Sequence, residues 1–112
     1  MGMSLVEADG FKKVILSGRL DSAGVDAIET QFTAAIVPAG QNALVDLSQV
    51  EFMASLAVRM FISTTRALAW RGGKLVMFGA TAPVMEVIET MGFDDIVPVA
   101  SSEAEAIALL AS

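Results

Sequence analysis

The sequence predicts an α/β fold: a mixed sheet of four to five strands with an N-terminal antiparallel hairpin, parallel central strands and about four helices. Three observations predict it. Two short apolar segments near the N-terminus meet at Asp9-Gly10, a strong hairpin turn signal. The apolar runs at residues 43–47 and 74–78 are nearly continuous, as expected of strands covered on both faces. Segments of helical periodicity separate the later strands, which implies right-handed parallel crossovers.

Residues 4–8 and 14–17 form the hairpin at one edge of the sheet, and Lys12-Lys13 near the turn help to guard that edge. Gly18-Arg19-Leu20-Asp21-Ser22 then breaks the strand. Asp21 or Ser22 N-caps a helix with apolar positions Val25, Ile28, Phe32, Ala35 and Ile36, and Pro38 and Gly40 end it. Residues 43–47 form a central strand. A second helix covers about residues 56–70 and stops at Gly72-Gly73, with Trp70 as a lid over the core near its end. Its first two turns are apolar nearly all round, and a polar stripe of Arg59, Ser63 and Arg66 emerges later.

Residues 74–78 form a buried strand. Thr81-Ala82-Pro83 opens another helix, with Val84, Val87, Ile88 and Met91 inward and Gly92 at its end. Residues 95–99, interrupted by Pro98, form a short edge strand. Ser102-Glu103-Ala104-Glu105 reads as a capping box before a last helix with Ala104, Ile107, Ala108 and Ala111 inward. Without a linker, repeat or low-complexity stretch, residues 1–112 read as one domain. The order leaves open whether helices cover both faces of the sheet.

Composition narrows the function. The chain has no His, Cys or Tyr, so it lacks the imidazole base, the thiol nucleophile, the usual zinc ligands and a phenolic acid. An enzyme is not expected, nor is a metal or cofactor. A net charge of −6 argues against nucleic acid as a partner. No apolar run approaches the ~20 residues that span a bilayer, which argues against direct membrane insertion. The N-terminus lacks the pattern of a signal peptide, so a cytoplasmic location is expected. The charge is uneven: Arg59, Arg66 and Arg71 lie in a stretch with no acid. A locally basic helix on an acidic body suits a protein partner.

Among the few groups capable of chemistry, Ser55 stands out. The strand Leu44-Val45-Asp46-Leu47-Ser48 leads into Val50-Glu51-Phe52-Met53-Ala54, which delivers the Ser55 hydroxyl to a helix start. On its own, such a serine caps the helix, a bond worth ~1 kcal/mol. Asp46 orders the turn to Ser48. Met53, Leu56, Val58 and Met60 form an apolar group, at least half of it core; two of them pointing outward would make a Met-rich contact surface. Arg59 and Arg66 face either acids on a partner or solvent. Gly72-Gly73 follows a helix, so it is a C-cap and not a phosphate loop. Glu86 and Glu89, like Asp94 and Asp95, read as solvated surface.

Several of these segments together resemble a STAS domain of the anti-sigma factor antagonist type. They are Gly18-Arg19-Leu20-Asp21, Leu44-Val45-Asp46-Leu47-Ser48, Phe52-Met53-Ala54-Ser55, Arg71-Gly72-Gly73-Lys74-Leu75-Val76 and Ile88-Glu89-Thr90-Met91-Gly92-Phe93. The resemblance runs from about residue 5 to 110 and implies a STAS-like fold. In that family the loop after the third strand reads Asp-Ser-Ser/Thr-Gly, and its first Ser is phosphorylated by a partner kinase that doubles as an anti-sigma factor. Aligned through Phe52, that Ser is Ser55. Ala54 stands in place of the Asp, Leu56 of the second hydroxyl residue and Ala57 of the Gly, while Val58 matches the following apolar position.

The resemblance therefore implies a non-enzymatic regulatory module switched off by phosphorylation at Ser55, with Asp21, Met53, Ala54, Ser55, Leu56 and Arg59 as the partner surface. Its implied partner is an anti-sigma factor and serine kinase of the histidine-kinase-like ATPase type, with a serine phosphatase to reset it. The alternative is a constitutive, unphosphorylated STAS subunit of a larger assembly, such as a signalling scaffold or a lipid-transport ATPase complex.

Overall fold

A computed structural model describes residues 2–8 and 10–111 of the chain. The elements are β1 (Gly2–Ala8), β2 (Phe11–Leu20), α1 (Ser22–Ile36), β3 (Asn42–Met53), α2 (Ser55–Trp70), β4 (Leu75–Phe78), α3 (Ala82–Thr90), a 3-10 turn (Phe93–Asp95), β5 (Val99–Ala100) and α4 (Glu103–Leu110). They build one five-stranded sheet in the order β1-β2-β3-β4-β5. β1 and β2 are antiparallel and the remaining neighbours are parallel, as the sequence predicts.

The strand order never reverses, so crossovers of a single hand put α1, α2 and α3 on the same face. The main core lies there. Val14, Leu16, Val45, Leu47 and Met77 of the sheet meet Ile28 and Phe32 of α1, Phe61 and Leu68 of α2 and Ile88 of α3. On the opposite face α4 lays Ala106 and Leu110 over Leu44, Val76, Phe78 and Ala100. Lys13 ties α4 to the sheet, 3.0 Å from Glu103 and 5.8 Å from the ring centroid of Phe78.

Several expectations need correction. β2 does not stop at Gly18 but runs to Leu20, and β3 runs six residues past Leu47 to Met53. The two strands hold each other extended there: Ser17 pairs with Gln49, Gly18 with Val50, Arg19 with Phe52 and Leu20 with Met53. The lysines do not guard an edge. β1 is the edge strand, and Lys12 and Lys13 lie one strand inward, with Lys12 bound to the Ala35 carbonyl at 3.3 Å and 3.7 Å from Glu7. The hairpin closes at Ala8 and Phe11 with Gly10 at φ 85°, while Asp9 lies outside the described residues.

At the other end of the chain, the 3-10 turn occupies part of the segment expected to be strand, and β5 is shorter and later. Met91 is exposed, leaving Val84 and Ile88 as the buried pair of α3. The inward residues of α4 are Ala106 and Leu110 rather than Ala104, Ile107, Ala108 and Ala111. That helix is apolar nearly all round, so periodicity cannot choose its face, and its docking on the sheet does. The capping box is half formed. Ser102 Oγ accepts the Glu105 N–H at 3.2 Å, but the Glu105 carboxylate accepts from the Ser101 hydroxyl at 3.0 Å instead. The C-cap reading of Gly72-Gly73 holds, with both N–H groups donating back to the last turn of α2.

Candidate functional site

The site lies where β2 and β3 end side by side and hand over to α1 and α2. Leu20 pairs with Met53, and the Ala54 N–H donates to the Leu20 carbonyl at 2.9 Å. The two helix starts are thereby fixed next to one another, with Asp21 on one and Ala54-Ser55 on the other. Two register shifts in the β2–β3 ladder bring the chain to this point. The first lies beside Asp46, whose Oδ1 accepts the Ser48 N–H at 2.9 Å inside a continuous strand rather than a terminal turn. Each extra residue reverses the alternation of faces. Between the two, Val50 points into the core; the second restores the phase of Val45 and Leu47, so Met53 points in and Phe52 points out.

Continuation of the strand through residue 53 corrects one expected site residue. Met53 is 1% exposed and cannot meet a partner directly. Val58 and Met60 are buried as well, so of the four apolar residues around Ser55 only Leu56, at 39%, faces solvent. The Met-rich contact surface does not form. Its place is taken by Phe52, 36% exposed, with the Arg19 guanidinium 4.6 Å above the ring. Arg19 also lies 3.7 Å from Asp21. The contact of Arg19 with Phe52 was not readable from sequence, because it depends on β2 pairing with β3 as far as residue 53.

The two helix starts differ electrostatically. Asp21 N-caps α1, with Oδ1 accepting the Gly24 N–H at 2.9 Å. The cap of α2 is Ala54, in extended geometry at φ −99° and ψ 171°, with no side-chain hydrogen bond and no acid in the first helical turn. Ser55 is the first helical residue, one position too late to cap, so the capping role expected of it does not hold. Its side chain is exposed and has no hydrogen-bonding partner among the described residues. Arg59, one turn further along, is also exposed. A bare N-terminus concentrates partial positive charge in unpaired N–H groups, favouring an anion there. Among the described residues, no group of three or more His, Cys, Asp or Glu could hold a metal ion.

The empty cap gives a direct prediction. Ala54→Asp would put a carboxylate within reach of the first free N–H groups of α2. The change is expected to raise stability by about 1 kcal/mol. A thermal melt that stays level with the wild type would show that these N–H groups are already satisfied.

Comparisons with known proteins agree with this fold. The family described as "Mlab, STAS domain" matches residues 3–98. BtrV of Bordetella bronchiseptica, which carries the name of an anti-sigma factor antagonist, is 28% identical over 108 residues, covering 96% of this chain and 93% of BtrV. The solved structure of an anti-sigma factor antagonist from Mycobacterium paratuberculosis matches with a TM-score of 0.88 at 23% identity, over 99% of this chain and 94% of that one. SpoIIAA in its unphosphorylated form matches with a TM-score of 0.76 at 21% identity, over 98% of this chain and 96% of that one. The phosphorylated form of Bacillus SpoIIAA matches at 0.68 and 20% identity, over 96% of this chain and 98% of that one.

Proposed function

The chain belongs to the STAS-domain family, and on that premise we propose that residues 1–112 form a single, non-enzymatic regulatory module that acts in the cytoplasm as an anti-sigma factor antagonist. Unmodified, it binds an anti-sigma factor that is also a serine kinase of the histidine-kinase-like ATPase type. Contact is made through Asp21, Ala54, Ser55, Leu56 and Arg59, with Phe52 and Arg19 beside them. Binding frees the factor that the kinase would otherwise hold.

The observation that carries this reading is the state of Ser55: exposed, unbonded and seated at an uncapped helix N-terminus. In the switching step the Ser55 hydroxyl oxygen bonds to the γ-phosphorus of ATP. The bond from that phosphorus to the β,γ-bridging oxygen breaks, ADP leaves and the hydroxyl proton passes to a base on the kinase. The product carries about −1.5 to −2 extra charge. The helix N-terminus accommodates it without repacking, because no side chain caps it and the first turn holds no acid. The same charge repels an acidic partner and fills the contact surface. A serine phosphatase restores the binding form.

The test is phosphoryl transfer in vitro. The protein is incubated with ATP and the candidate kinase encoded beside it, and its intact mass is recorded. The expected result is a gain of one phosphate that disappears in Ser55→Ala. An unchanged mass together with stable co-purification in a larger assembly would sink the switch and leave a constitutive STAS subunit.

A further inference from the structure

We infer that the partner surface continues along the whole of α2 and ends on Trp70, which anchors an acidic protein partner about 22 Å from Ser55 at 1.5 Å per helical residue; this rests on reading the Ser55 end as a partner site. The exposed residues Ser55, Arg59, Ser63, Arg66 and Trp70 are spaced by four, four, three and four, and so form one stripe. The opposite side of the helix, with Phe61 and Leu68 at its centre, is buried. The stripe is therefore held rigid from behind.

Trp70 is 91% exposed, so it is not the lid that its position in sequence suggests. It lies one turn beyond Arg66 on the solvent side, and the fully buried Leu68 closes the core instead. Single exposed leucines are ordinary, but a tryptophan can bury about 150–250 Å² and is among the residue types that dominate binding energy in interfaces. Here Trp70, Ala69 and Arg66 border a shallow depression that their own chain leaves open.

Charge identifies the partner's chemistry. Arg59 and Arg66 have no ion-pair partner among the described residues. No acid occurs between Glu51 and Glu86, although the chain as a whole carries −6. A positive strip on a negative body complements an acidic protein face with an apolar recess for the indole. Phosphorylation at one end of the strip would place negative charge against that same face. A bilayer fits poorly: lipid-binding clusters hold about four to eight basic residues, and the acidic body would be repelled by anionic headgroups.

The affinity of the candidate kinase is measured for wild type, Trp70→Ala and Arg66→Glu. Trp70→Ala is expected to weaken binding about 30-fold or more, in the range of an interface anchor. Arg66→Glu is expected to weaken it about 10-fold at low salt and less as screening grows. Both side chains are exposed, so melting curves should match the wild type and keep folding out of the comparison. Wild-type binding that both variants retain within about threefold would overturn the extension while leaving the Ser55 site standing. No binding by wild type would overturn the reading of the Ser55 site and the extension with it. Trp70 is the sole tryptophan, so its emission reports on lipid directly. A blue shift with phosphatidylglycerol vesicles would overturn the protein-partner assignment; unchanged emission supports it.

Discussion

Replacing Phe61 with alanine is expected to lower folding stability by about 3–5 kcal/mol, the range found when a buried aromatic is truncated. Phe61 is fully buried and joins three elements. Its ring meets Phe32 of α1 edge-on at 5.5 Å and Phe93 of the 3-10 turn at 6.1 Å. Such aromatic pairs add roughly 0.5–1.5 kcal/mol beyond the area they bury, and truncation loses that contribution and opens a cavity. Domains of this size are stable by only about 5–15 kcal/mol, so the variant should be left marginal. The check is a urea titration. At a slope of about 2 kcal/mol per molar, the midpoint should fall by roughly 2 M with the slope unchanged. A fall below about 0.5 M, worth 1 kcal/mol at that slope, would mean that α1 and α2 close over the gap without loss. The functional stake is the position of α2, since the same helix presents Ser55.

Gly24→Ala is expected to destabilise the fold by about 3 kcal/mol and to disturb the proposed partner surface as well. A Cβ built on Gly24 falls on the carbonyl oxygen of Arg19, and it would also lie 3.4 Å from Asp21 Oδ1. The obstacle is backbone, so no rotamer change relieves it. Either the first turn of α1 moves off β2, or the end of β2 shifts and takes with it Arg19 and the Leu20 carbonyl that fixes Ala54. Both routes strain the Asp21 cap. Thermal unfolding measures the first effect, and affinity for the candidate kinase measures the second. A variant that melts like the wild type and binds equally well would refute the close packing of α1 on β2.

Much of this architecture was legible because its signals are local. Asp21 caps α1 as its position before an apolar helical repeat implied, and Gly72-Gly73 ends α2 as glycines after a helix do. The buried strand around Val45 declared itself by an unbroken apolar run. The helix start that carries Ser55 was legible in position, but the facing of the side chains around it was not. Ser55 was expected as a cap, yet the helix begins one residue earlier than predicted and Ala54 takes that role. Met53 was expected in the contact surface, yet it is core. Arg19 and Phe52 meet because β2 and β3 pair, although the two residues are 33 positions apart.

By itself, then, the sequence determined the order of elements, the parallel sheet with its leading hairpin, and the placing of a lone hydroxyl at a helix start in a chain poor in reactive groups. Turns, caps and apolar periodicity act over a few residues, so they can be read along the chain. Only the tertiary structure decided which side chains face solvent. Pairing with β2 carried β3 as a strand through Met53, leaving Met53 inward and Phe52 outward, and docking of α2 through Phe61 and Leu68 left Trp70 in solvent. The physical reason is the same in each case: facing depends on register and on what packs behind, and both are set by residues distant in sequence.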